Sequence, residues 1–107
     1  MPTVDSSGTL TADGTEQTLA DLTVNKYYSA HVDLHLMDVL DVVTLRLYLK
    51  VLTGSTLGLY WTETYYDVQT NRVIIYIPPM PAVWEWKLTL QQSAGTNRNF
   101  DWVVYKV

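Results

Sequence analysis

His31, Asp33 and His35 alternate with apolar residues in "SAHVDLHL", and they include both histidines of the chain. Two imidazoles and a carboxylate can ligate a divalent transition metal. On a β-strand all three would project from one face. At ~3.3 Å per residue, however, His31 and His35 would stand about 13 Å apart. One ion could then bind an adjacent pair but not all three. The pattern reads instead as the polar face of a half-buried strand, opposite Ala30, Val32 and Leu34. No residue is assigned to a metal.

Other reactive constellations are weaker. Asp38 and Asp41, with Asp33 upstream, offer oxygen ligands, but "DLHLMDVLD" has no glycine for the bend of a calcium loop and too few ligands. These aspartates read as turn-forming and solvated. The glycine-containing stretches "ADGTEQ", "TGSTLG" and "SAGTNR" lack the Lys-Ser/Thr pair and the following helix of a phosphate loop. No serine sits in a nucleophile elbow. Glu63 with Asp67, or Glu85 with Asp101, could pair as glycosidase carboxylates, but eleven acids offer many such pairs. No catalytic residue and no cofactor-binding residue is assigned, and the chain reads as a non-enzyme.

The surplus lies in the aromatics. The chain has eight tyrosines and four tryptophans. Tyr27, Tyr60, Tyr65, Tyr66, Tyr76 and Tyr105 cannot all be interior. At a surface, tyrosine combines contact area with a hydrogen-bonding tip. These six are therefore candidates for an interface. They could pack against neighbouring copies, or stack on sugar rings as in a carbohydrate-binding or adhesion module. Only 17% of the residues are charged, which favours assembly, because few charges need desolvation when such a surface is covered.

The elements that would carry these residues are strands. The 107 residues suffice for one domain. Residues 1–7 read as a short flexible arm and 8–107 as the folded domain. Two short strands are expected near Gly8–Thr11 and Thr15–Leu22, with the hairpin-type pair Asp13-Gly14 between them. "NKYYSAHVDLHL" sets Tyr28, Ala30, Val32, Leu34 and Leu36 on one face. "VVTLRLYLKVL" sets Val43, Leu45, Leu47, Leu49 and Val51 on one face. "LGLYWTETYYDV" is a strand whose buried face is left open. "QTNR" is a turn. "VIIYI" is apolar on both faces, as a central strand would be, and "PPMPAV" is an extended crossover or strand end.

The end of the chain reads as a long hairpin, with Trp84, Trp86, Leu88 and Leu90 on one face and Phe100, Trp102 and Val104 on the return strand. About eight strands with regular turns and essentially no helix predict an all-β, antiparallel, jelly-roll-like sandwich. Leu45, Leu47, Leu49, Trp86, Leu88, Leu90 and Trp102 should share its core, about 10 Å thick.

Composition excludes further classes. Without cysteine there is no disulfide framework, thiolate zinc site or cysteine nucleophile. A net charge of −4 argues against nucleic-acid binding. No apolar run reaches the ~20 residues of a membrane-spanning helix. "MPTVDSSGTLT" is not a secretory signal, so export would take another route, such as release of a particle by lysis.

Four stretches carry a resemblance: "LTADGTEQTLADLT", "VDLHLMDVLDVVTLRLYLKVL", "IPPMP" and "WKLTLQQSAGTNRNFDWVVYKV". Together they resemble small all-β virion structural proteins of phages and other viruses, over Gly8 to Val107. The most specific pieces are "DGTEQTL" (Asp13–Leu19) and "LTLQQSAGTNRNFDW" (Leu88–Trp102), and neither carries chemistry. The resemblance implies a capsid, decorating or tail subunit located in the virion, with copies of itself or other virion proteins as partners. The short chain favours a minor or decorating part over a major capsid protein. The arm at residues 1–7 could lie on a neighbour.

Overall fold

The computed structural model describes residues 3–70, 73–82 and 84–106. Eight strands run in order: β1 (Thr3–Thr11), β2 (Glu16–Leu22), β3 (Lys26–Asp33), β4 (Val42–Leu49), β5 (Gly58–Tyr66), β6 (Ile74–Ala82), β7 (Trp86–Ala94) and β8 (Asn99–Lys106). There is no helix among the described residues. The strands form two four-stranded sheets, ordered β1-β8-β3-β6 and β2-β7-β4-β5. Every pairing is antiparallel. Only β4 and β5 are consecutive neighbours in one sheet; every other connection crosses between sheets. This is the double-sheet order of a jelly roll.

The alternation that predicts the strands also builds the core. Tyr28, Ala30 and Val32 of β3 point inward with Leu34 just beyond, facing Val43, Leu45 and Leu47 of β4 and Trp86, Leu88 and Leu90 of β7; all are buried. Phe100 and Val104 of β8 and Ile75 and Ile77 of β6 complete the layer. Tyr28 and Trp86 meet across the two sheets at 5.7 Å between ring centroids, a separation at which tilted rings attract. The Tyr28 hydroxyl is satisfied by donating to the Val24 carbonyl at 3.1 Å. Leu49 and Trp102 lie at the rim, half-buried against this cluster.

Several expectations are corrected. Thr3–Ser7 is not an arm: it belongs to β1 and pairs with β8 from Lys106 to Val103, across a bulge between Val4 and Ser6. Met1 and Pro2 lie outside the described residues. The Asp13-Gly14 turn does not close a hairpin, since β1 and β2 lie in opposite sheets, and so do β7 and β8. The "VIIYI" stretch is not central. It opens the edge strand β6, where Ile75 and Ile77 face the core while Ile74 and Tyr76 face out. Pro78 and Pro79 continue that strand through a bulge opposite Ser29. Proline is tolerated there because an edge strand needs only one side of its hydrogen-bond ladder. Leu36, Val51 and Trp84, assigned to inward faces, are exposed, Val51 at 80%. The end of "PPMPAV" at Val83 and part of the "QTNR" turn fall outside the described residues.

Candidate functional site

The strand β3 does not gather its polar residues into a metal site. His31 lies between two tyrosines on the outer face of the β1-β8-β3-β6 sheet, 5.3 Å from the Tyr76 ring and 5.4 Å from Tyr105, edge-on to the latter. Cross-strand register puts His31 opposite Tyr76 of β6 and Val103 of β8. His35 leaves this face and pairs instead with Asp33, Nδ1 to Oδ1 at 2.9 Å. Among the described residues no three of His, Asp and Glu converge.

The aspartates of the β3–β4 connection differ from the expectation. Asp41 is not solvated; it is fully buried. Its carboxylate accepts the Asp38 N–H at 2.9 Å, the Thr96 N–H at 3.1 Å and the Arg98 Nε–H at 2.8 Å. Burial by itself pushes its pKa up, but the Asp38 N–H and the Arg98 guanidinium outweigh that and hold it below the usual carboxylate value. The buried Gln92 amide braces the same corner, donating to the Ala94 and Thr96 carbonyls and accepting the Arg98 N–H. This network fixes loops and is structural.

The carboxylate pairs are likewise engaged. Asp67 accepts the Leu40 N–H and Asp101 accepts the Thr9 hydroxyl. Glu85 pairs with Lys50 at 3.5 Å. It also lies beside Asp21, whose pKa is raised, first by burial and then by the Glu85 carboxylate.

The two outer faces differ in character. On the β2-β7-β4-β5 sheet, Glu16 accepts the hydroxyls of Tyr48 and Thr89, each at 2.6 Å, and Arg46 bonds Gln91. That face is a ladder of satisfied polar side chains. The opposite outer face has polar pairs of its own, Thr9 with Asp101 and Thr11 with Asn99, but around His31 it carries Ile74, Tyr76, Val103 and Tyr105.

Between the edge strands β5 and β6 the sandwich opens into a groove of about 690 Å³. Its walls include Tyr60, Trp61 and Tyr65 from β5 and Ile74, Tyr76, Pro78, Pro79 and Met80 from β6, with Glu63 as the charged group. Tyr65 donates to Glu63 at 3.3 Å. The groove exists because neither edge carries enough bulk to close it: β5 has no fully buried residue, and the proline bulge turns β6 aside.

Of the six tyrosines singled out, Tyr60, Tyr65 and Tyr76 therefore meet in this groove, and Tyr76 and Tyr105 flank His31. Tyr27 and Tyr66 line neither place. Tyr60 is exposed at 63% and Tyr76 at 52%, Tyr27 and Tyr66 are similarly open, and Tyr65 and Tyr105 are half-buried. The groove itself escapes a sequence reading. Its only local signal is the Pro-Pro pair in an otherwise strand-like run. Comparison with protein-family models, with curated proteins and with solved structures gives no match for this chain.

Proposed function

We propose that the protein is a non-enzymatic structural subunit of a virion, a capsid, decorating or tail component that binds copies of itself or a virion lattice. The observation that carries this reading is the contrast between surfaces. One outer face is a closed polar ladder, while the part of the other face around His31 and the adjoining groove present tyrosines and aliphatics to solvent. Contiguous exposed apolar surface of this kind marks interaction sites. Jelly rolls are frequent in viral capsids, although the fold also serves lectins and cupins and does not fix function. The residue-level resemblance to virion proteins supplies the context.

The test is sedimentation of the purified protein together with co-purification from particles. Assembly in solution, or a fixed copy number per particle, is the expected result. A strict monomer that ignores particles overturns the reading.

A second reading has its own observation. Trp61, Tyr60 and Tyr65 beside the Glu63 carboxylate offer rings for stacking and an acceptor for hydroxyls, which suits a sugar. Quenching of tryptophan fluorescence by oligosaccharides, lost in Trp61→Ala, would support it; an unresponsive glycan array would remove it.

A further inference from the structure

The four sheet edges are unequally protected. The β6 edge contains Pro78, Pro79 and Pro81, which cannot donate to a new neighbour. The β1 edge is bulged at Asp5, and the β2 edge is bulged at Leu19 and carries Glu16 and Asp21. Bulges, prolines and charges are the devices that keep edges from pairing. β5 has a bulge at Tyr60, but beyond it Trp61–Tyr66 is regular, free of proline and charged only at Glu63. Among the described residues its sole strand neighbour is β4.

The free hydrogen-bonding groups of this edge can be placed. In an antiparallel pair, alternate residues direct both backbone groups toward the same neighbour. Asp67, next after β5, donates its N–H to the Asp41 carbonyl at 2.9 Å. Counting back in twos turns the groups of Glu63 and Tyr65 toward β4 and leaves those of Thr62, Thr64 and Tyr66 facing away. The short contact between the Thr44 and Thr64 hydroxyls, 3.0 Å, fits a non-hydrogen-bonded pair at that position.

From this the geometry points to β5 as a self-association edge: it pairs antiparallel with β5 of a second copy about a two-fold axis at Thr64. The inference rests on the assembly reading above and names its surface and partner. Charge selects the centre. An axis at Glu63 would set two carboxylates opposite each other, and an axis at Tyr65 would set Glu63 opposite Asp67. Centring on Thr64 sets threonine opposite threonine and Glu63 opposite Tyr65 of the other copy. The two β2-β7-β4-β5 sheets then become one eight-stranded sheet, and each copy's groove lies beside the joint. The body measures 41 × 31 × 21 Å. A side bounded by its two shorter axes covers about 650 Å², short of the ~800 Å² per partner of a standard interface, so the strand joint is a small contact to which the groove walls beside it add.

The absence of cysteine makes a direct test simple. A single cysteine is placed at Thr64, and Thr62→Cys and Thr9→Cys serve as controls on the same strand and on β1. Two cysteines facing each other across the axis meet the geometry of a disulfide. The expected result is a reducible dimer for T64C and little for T62C, which would face Tyr66, or for T9C. In parallel, Thr64→Lys should weaken self-association at least about ten-fold, with an unchanged circular dichroism spectrum. Equal cross-linking at all three positions, or a T64K protein that associates like the parent, overturns the β5 edge while leaving assembly in place. A parent chain that stays monomeric, with T64C left uncross-linked, overturns the β5 edge, and if that chain also ignores particles the assembly reading falls with it.

Discussion

Asp41 and Arg98 are 57 residues apart in the chain, and their side chains meet at 2.8 Å where the β3–β4 and β7–β8 connections touch. The buried carboxylate accepts two backbone N–H groups besides the guanidinium, so one side chain ties two loops to each other. Asp41→Asn keeps the shape but turns an amide donor toward groups that are themselves donors. The cost at pH 7 should be about 2–4 kcal/mol. Because the folded pKa is depressed, this stabilisation is present above the unfolded carboxylate value near ~3.9 and is lost as pH falls through the folded value. Thermal melts from pH 7 to pH 2 should show the parent and D41N converging at the acid end. A gap that stays constant with pH would count against the charge.

Gly95 stands against the same carboxylate. Its φ is +89°, and a Cβ there would fall on the Asp41 carboxylate and within 2.7 Å of the Asp41 Cα. Gly95→Ala therefore combines left-handed backbone strain with a collision against a fixed group. A loss of at least about 2 kcal/mol is expected in denaturant unfolding. Gly14 has the same φ but open space around it, so Gly14→Ala should cost only the backbone part, about 1–2 kcal/mol.

Trp86 is completely buried, yet its indole N–H has no hydrogen-bond partner among the described residues. Trp86→Ala should cost about 3–5 kcal/mol by opening a cavity between the sheets. Trp86→Phe loses volume but also removes a buried unpaired donor, whose cost is roughly 1–3 kcal/mol. The two terms oppose, and the net change should be under about 1.5 kcal/mol. Equal losses for both variants would mean that the N–H is satisfied.

Leu40 has a φ of +72°, and its side chain is 73% exposed. Its N–H donates to Asp67 at 2.8 Å, which holds the strained turn in place. Leu40→Gly removes a left-handed penalty of about 1–2 kcal/mol at a backbone entropy cost of about 0.5–1 kcal/mol. A stability gain of up to about 1 kcal/mol should appear in the denaturant midpoint. A stability loss would show that the exposed leucine packs on something.

The faces of the strands were legible in the sequence, and their neighbours were not. Period-two alternation placed Ala30, Val32, Val43, Leu45, Leu47, Leu88 and Leu90 inward, because alternation reports which side of a strand meets the core. It does not report which strand lies alongside. A link as short as the one from Ala94 to Asn99 can turn to a neighbour ~4.8 Å away or cross to a sheet ~10 Å away. Two apparent hairpins were in fact such crossings. The "VIIYI" run misled for a related reason: Ile74 and Tyr76 are apolar but face outward at an edge. Asp41 looked like an ordinary turn aspartate because its burial depends on Arg98, far along the chain. The surplus of tyrosines was visible from composition, but the groove where three of them meet arises only when β5 and β6 come to lie on the same open side.

In the β1-β8-β3-β6 sheet, the strand bridging β1 to the rest is the last to be made. On the ribosome, β1 emerges before the other seven strands and has no strand partner until β8 follows. Until then one edge of β3 lacks its β8 neighbour and β1 offers two bare edges. Vectorial synthesis therefore cannot complete this sheet piecemeal. A nascent chain stalled before Asn99 would present unpaired strands to every other chain nearby, and the emergence of Asn99–Lys106 times the closure of the sandwich.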